Sequence, residues 1–113
     1  MAPFKLTIRN GPKVFREDHD SLSGAVTSMR EHAERIRADG VLPEVSMIRT
    51  YEPGDRVKAR VEISTGRFLR SRDAGVDIMG DGAIVPFRGG VGRHPLEPES
   101  GQSPFEAVEA ALR

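Results

Sequence analysis

The sequence predicts a single α+β domain over residues 1–113: an antiparallel sheet of five to six strands in the order ββαββββα, with one long helix on one face and a short C-terminal helix. Three observations support this fold class. Apolar side chains recur at the helical period in only one long run, residues 21–39. Short apolar or alternating runs, separated by turn signals, fill most of the remaining chain. These runs follow one another as hairpins instead of alternating with helices, which is typical of α+β proteins.

A β-hairpin is predicted at the start of the chain. Residues 4–9 alternate apolar and polar side chains, the period of a half-buried strand. Asn10-Gly11 follows directly and is the strongest short hairpin signal. Residues 13–16 are the expected return strand, and Pro12 at its start removes a ladder donor, which favours an edge position.

A long amphipathic helix is predicted over residues 21–39. Its apolar side chains fall within an arc of about 100°, the width of a helix face that covers a core. Asp20 or Ser21 can serve as the N-cap, and Gly40 stands where a left-handed C-terminal residue is expected. The apolar stripe consists of Leu22, Ala25, Val26, Met29, Ala33 and Ile36.

Two strands joined by a turn are predicted after the helix. Residues 45–51 form the first strand, and Pro53-Gly54 occupies the two central positions of a type II turn. Residues 57–64 form the second strand, in which every other side chain is apolar without interruption. Such alternation indicates a sheet with one face on the core and one face in water.

The rest of the fold is predicted from shorter signals. A basic loop is followed by a hairpin with an Asp-Gly turn and by a last short strand. Pro86 in that hairpin indicates an edge or a bulge. In chain order these elements are the loop 67–75, the strands 76–79 and 83–87 on either side of Asp81-Gly82, and the strand 91–97.

The short C-terminal helix has its own start signal. Ser103 fits the N-cap, Pro104 the first helical position, and Glu106 completes a capping box three residues after the serine. Its apolar side consists of Phe105, Val108 and Leu112. A helix this short has little stability alone, so we expect it to dock on the sheet.

Composition restricts the possible chemistry. The 113 residues contain no cysteine, so the chain has neither a disulfide framework nor a thiolate that could act as a nucleophile or metal ligand. The net charge of zero argues against general polyanion binding. Neither a signal peptide nor a membrane span is recognisable, and we expect a cytoplasmic protein.

Basic residues are concentrated in one part of the chain and suggest a docking surface for a charged partner. Alternate residues of the strand 57–64 should project them to one side, and the following loop should add more. A solvated surface, neutralised by ion pairs with Glu62 and Asp73, is the alternative. The candidate residues are Arg56, Lys58, Arg60, Arg67, Arg70 and Arg72, with Arg88, Arg93 and His94 as the possible edge of the same surface.

Two other stretches hold residues of catalytic or ligand-binding type. Residues 17–20 offer three carboxylates and an imidazole, but acids at the positive end of the predicted helix explain them as helix caps, and no metal site is predicted. The glycine-rich loop 88–94 could present backbone amides to an anion, although its spacing is that of neither a phosphate loop nor a dinucleotide fingerprint. A bulged turn between edge strands is the simpler interpretation.

The predicted function is therefore a binding or assembly module, acting on another protein or forming a homodimer, rather than an enzyme, and no cofactor is expected. One alternative is a nucleic-acid- or ribosome-associated module that uses a basic sheet face. Another is a small enzyme or anion-binding protein that uses the loop 88–94. The predicted order of strands and helices is similar to that of ribosome-hibernation factors and of double-stranded-RNA-binding domains. This resemblance is one of topology only, and no residue role follows from it.

Overall fold

A computed structural model describes residues 3–39, 57–65, 72–89 and 93–113. It confirms the α+β class: six antiparallel strands form one sheet, and two helices accompany it. The strands are β1 (Phe4–Asn10), β2 (Lys13–His19), β3 (Val57–Thr65), β4 (Arg72–Met79), β5 (Ile84–Arg88) and β6 (His94–Pro95), and the helices are α1 (Leu22–Ala38) and α2 (Pro104–Leu112). Their order across the sheet is β2-β1-β3-β4-β5-β6. The predicted strand 45–51 and the Pro53-Gly54 turn lie outside the described residues.

The first hairpin differs from its prediction in turn and length. Its two-residue loop is Gly11-Pro12, because Asn10 pairs with Lys13. Gly11 has a φ of 63°, as the first central position of a type II′ turn requires. Pro12 therefore lies in the turn and removes no ladder donor. β2 then continues to His19, three residues beyond the predicted end, so the acidic stretch before α1 is partly strand.

Helix α1 confirms the predicted stripe and N-cap. The Ser21 hydroxyl accepts a hydrogen bond from the Gly24 amide at 3.0 Å. The buried positions follow the helical period: Ala25, Met29, Ala33 and Ile36. The described helix ends at a C-cap formed by Asp39 in the right-handed conformation. Gly40, the predicted cap, lies outside the described residues.

The core lies between one face of the sheet and both helices. On the inward face, Val61 of β3 is paired with Val76 of β4, and both are fully buried. The apolar face of α1 and residues Phe105, Val108 and Leu112 of α2 belong to the same core cluster. The opposite face of the sheet carries the alternate side chains and is called the open face below.

The predicted alternation of the strand 57–64 fails at its beginning. The β3–β4 register shifts between Val57 and Ala59, so the residue between them is displaced from the regular ladder. Val57 is 44% exposed, whereas Ala59, Val61 and Ile63 are buried. The core pattern was therefore predicted correctly from Ala59 onward only.

Strand β4 begins at Arg72, inside the predicted loop 67–75. Gly75 explains why this segment does not look like a strand and yet forms one. A Cβ atom at Gly75 would overlap the backbone carbonyl oxygen of Val61 and lie 2.7 Å from the Cα of Glu62. The two strands approach so closely here that only glycine fits.

The remaining turn and helix predictions hold in outline. The Asp-Gly hairpin exists, but its loop has three residues, 80–82: the Gly82 amide donates to Met79, and Gly82 has a φ of 91°. This is a type I turn closed by a left-handed glycine, a common alternative to the two-residue loop. In α2 the capping box is complete, with Ser103 and Glu106 each accepting from the other's backbone amide.

Candidate binding surfaces

The described members of the predicted basic set are distributed over both faces of the sheet and over the helix ends. Arg56, Arg67 and Arg70 lie outside the described residues. The described members are Lys58, Arg60, Arg72, Arg88, Arg93 and His94. Strand alternation and register separate them, so the described members do not gather on one side as expected. That they dock a charged partner stays a prediction.

Arg60 and Arg93 meet on the open face around one buried carboxylate. The Nε of Arg60 lies 2.7 Å from one carboxylate oxygen of Asp77, and an Nη of Arg93 lies 3.1 Å from the other. The Asp77 side chain is only 7% exposed. A buried carboxylate needs such partners, because an unpaired charge in this position would be strongly destabilising. The expected ion partners of this strip were Glu62 and Asp73, so Asp77 was missed.

Phe87 lies beneath the same two arginines. Their guanidinium carbons are 5.1 and 5.6 Å from the ring centroid, within the range of a cation–π contact. Phe87 is opposite Gly75 in the β4–β5 ladder and is 3% exposed although it is on the open face. The two arginines therefore cover an aromatic ring and neutralise a carboxylate at the same time. The sequence contains both Gly75 and Phe87, but only the strand register shows that they are paired.

Glu62 is the neighbouring carboxylate on the open face. Burial raises the pKa of Glu62, and the nearby Asp73 carboxylate acts in the same direction. The charges of Arg60 and Arg9 act in the opposite direction but do not cancel these effects. Together these effects hold the pKa of Glu62 above its usual range.

Two basic side chains bind backbone carbonyls at helix ends. The Lys58 ammonium donates to the carbonyl of Ile36 in the last turn of α1 at 3.1 Å, and Arg72 donates to the carbonyl of Arg113 after α2 at 3.2 Å. Cations at helix C-termini satisfy orphan carbonyls and complement the helix dipole. Lys58 was predicted to point away from the core beside Arg60. The register shift at the start of β3 brings it to α1 instead.

Arg88 and His94 lie at the other side of the fold. They form a pair in the β5–β6 ladder, and Arg88 lines a shallow groove between β5 and α2 together with Leu96 and Gln102. Gly90, Val91 and Gly92, the centre of the predicted anion-binding loop, are outside the described residues. Arg88 and Arg93 are on opposite faces, since only Arg93 reaches Asp77.

A second polar cluster joins β2 to α1 and was interpreted wrongly from the sequence. The Glu17 carboxylate accepts from the Ser28 hydroxyl at 2.6 Å and lies 2.7 Å from Nε2 of His32 and 3.0 Å from Nε2 of His19. Glu17 does not cap the helix, whose first turn holds no acidic residue. The signal was present as two periods: Glu17 and His19 are two residues apart on a strand, and Ser28 and His32 are four apart on a helix.

This cluster lowers the pKa of Glu17 to about 2. The hydrogen bond from Ser28 is the largest cause; burial opposes it, and the contacts with His32 and His19 lower the pKa further. Ser28 and His32 both bind the carboxylate, so the arrangement differs from a triad, in which the base contacts the nucleophile. Within the described residues, no group of three or more His, Asp or Glu side chains is arranged to hold a metal ion. The cluster fastens an outer strand to the helix.

Strand β2 forms one edge of the sheet. Among the described residues it pairs with β1 alone. Val14 is 41% exposed and Phe15 is 56% exposed, more than the other large apolar side chains of this hairpin. They project to opposite faces of the sheet. In a hairpin closed by a two-residue loop, the backbone groups of Val14, Arg16 and Asp18 point away from β1.

Comparisons of the chain with protein-family models, with curated proteins and with solved structures found no match. Among the described helices, none is long and apolar enough to cross a membrane.

Proposed function

We propose that this protein is a polypeptide-binding module that accepts an additional strand at the β2 edge. The observation that supports it best is the combination, on one seven-residue edge strand, of outward backbone groups with exposed Val14 and Phe15. Main-chain hydrogen bonds give affinity in strand addition, and alternate side chains give selectivity. An exposed edge with apolar side chains is otherwise a liability that proteins avoid.

The Glu17 cluster supports this proposal by holding the edge in place. An outer strand that pairs on one side only tends to fray, and a frayed strand cannot act as a template. Ser28 and His32 of α1 anchor the middle of β2 through the Glu17 carboxylate. The edge is therefore preorganised, which lowers the entropy cost of binding.

The two alternative functions have less support. A basic sheet face for nucleic acid would need uncommitted cations, whereas Arg60 and Arg93 share Asp77 and cover Phe87. Such surfaces also present exposed aromatic rings for base stacking, and Phe87 is buried. Anion binding by the loop 88–94 would rely on its central residues Gly90, Val91 and Gly92, which lie outside the described residues.

A library of displayed ten-residue peptides tests the proposal. We expect peptides that bind the wild-type protein and protect the amides of Val14, Arg16 and Asp18 from hydrogen exchange. Arg16→Pro removes one outward backbone donor and should abolish the binding of those peptides. Arg9→Pro would not serve as a control, because it interrupts the β1 ladder. Arg16→Ala, which removes the same side chain but keeps the backbone donor, is the matched control and should still bind those peptides. If no peptide and no self-association protects these amides, the proposal is wrong.

A further inference from the structure

We infer that a second copy of this chain occupies the β2 edge, paired antiparallel about a two-fold axis midway between the Phe15 residues of the two copies. This inference rests on the proposed function and names its partner. It follows from the charge pattern of β2, which reads Lys13, Val14, Phe15, Arg16, Glu17, Asp18 and His19.

Symmetry limits the possible registers. Two antiparallel copies of one strand, related by a two-fold axis perpendicular to the sheet, present the same face on the same side. Residues that oppose each other across the interface must therefore share a face. Because faces alternate along a strand, each allowed register pairs one residue of β2 with its own equivalent, and the axis lies midway between these two residues. Only registers centred on a residue of β2 remain.

The register centred on Phe15 forms pairs of opposite charge without opposing like charges. It places Lys13 opposite Glu17 of the second copy, twice by symmetry, and Phe15 opposite its own equivalent. Opposite charges and aromatic pairs are favourable cross-strand neighbours, whereas like charges are unfavourable. A register centred on Arg16 would oppose two arginines. One centred on Glu17 would place Arg16 opposite Asp18 of the second copy, twice by symmetry, but would also oppose two glutamates. A register centred on Val14 would pair only residues 13–15.

Backbone geometry agrees with the same register. Val14 and Arg16 carry outward backbone groups, and this register places each opposite the other, so that both pairs exchange hydrogen bonds. Phe15 then falls in a non-hydrogen-bonded pair, where cross-strand side chains are closest. Phe15 is 56% exposed in a single copy, and Phe15 of the second copy would cover part of this exposed surface.

Glu17 is prepared for this contact. A carboxylate has about four acceptor positions, and the contacts with Ser28, His19 and His32 use three of them. The side chain remains 36% exposed, and the cluster fixes its direction. A Lys13 ammonium from the second copy would take the remaining position. Because one strand pair buries less surface than a standard interface, we expect a dimer that dissociates on dilution.

Cysteine cross-linking tests the register, since the chain contains no cysteine of its own. Val14→Cys and Arg16→Cys would be about 5.5 Å apart at their Cα atoms, a distance that a disulfide spans. A mixture of the two variants should give a mixed disulfide under mild oxidation, and each variant alone should give little dimer. Cross-linking of Arg16→Cys alone, or of Val14→Cys alone, would show another register and overturn the inference.

Analytical ultracentrifugation over a concentration series tests the contacts without cysteine. Lys13→Glu should weaken the dimer by about tenfold or more, because two attractive pairs become repulsive. Arg9→Glu, a charge reversal on the neighbouring strand opposite the uncharged Val14, is the control and should leave the dimer unchanged. A wild-type protein that stays monomeric throughout overturns the inference. The proposed function stands in that case if library peptides still protect the β2 amides, and falls with it if they do not.

Discussion

Replacement of Glu17 by glutamine should destabilise the protein in a way that depends on pH. A shift of the Glu17 pKa from 4.5 to about 2 corresponds to about 3 kcal/mol of folding free energy for a fully shielded group. The side chain is 36% exposed, and solvent screening reduces the expected value to about 1–2 kcal/mol. Glutamine keeps an oxygen that can accept from Ser28, so the loss reports mainly on the charge.

The sign of the pH dependence follows from the direction of the shift. The folded state holds the carboxyl group ionised, so its contribution is fully present above pH 4.5 and is lost as the pH falls towards 2. More than about half of it should be gone at pH 3, because the unfolded chain is already protonated there. Wild type and Glu17→Gln should therefore differ clearly in stability at pH 5 and much less at pH 3.

Urea unfolding at pH 5, 4 and 3, followed by circular dichroism, measures this difference. Asp18→Asn is the matched control, since Asp18 is the next residue of β2 and faces the opposite side of the sheet. A stability difference for Glu17→Gln that is equal at pH 5 and pH 3, or no larger than that of Asp18→Asn, would refute the reasoning.

Three further predictions concern the fold that supports the edge. Met29→Asp should prevent folding, because it places an unpaired charge at a position with no exposure; a thermal melt close to that of wild type would contradict the docking of α1. Gly75→Ala should cost about 3 kcal/mol or more in urea unfolding, through overlap with the β3 backbone, whereas Gly101→Ala, in open space, should cost about 1 kcal/mol. Ser103→Ala should cost about 1 kcal/mol, and rapid amide exchange throughout α2 in the wild type would show that there is no docked helix to cap.

Local signals predicted the elements whose structure is determined by neighbours in sequence. The stripe around Met29 and the capping box of Ser103 and Glu106 depend on residues within one or two helical turns, and both are confirmed. β4 was missed at its start because Gly75 has a low strand propensity. Glycine is required at position 75 because the β3 backbone lies so close to it, a contact between distant parts of the chain.

The candidate residues show the same division. A count of arginines along the sequence suggested a single basic surface, but the direction of each side chain depends on strand register. Arg60 was predicted to point away from the core and does so, and its partner Asp77 is brought opposite to it by the β3–β4 pairing. Lys58 left the predicted surface because one register shift redirects it. Charge composition was therefore predictable, whereas charge pairing was not.

The two edges of the described sheet differ in a way that favours a closed dimer over an open filament. β2 offers seven residues, whereas β6 offers two, one of which is Pro95 and lacks a backbone donor. A strand added at β6 would therefore gain few hydrogen bonds, and Pro86 in the neighbouring β5 shortens the regular ladder there. If both edges were competent, head-to-tail addition would continue indefinitely. With one competent edge among the strands that the structure describes, pairing of β2 with β2 uses that template and stops at two copies.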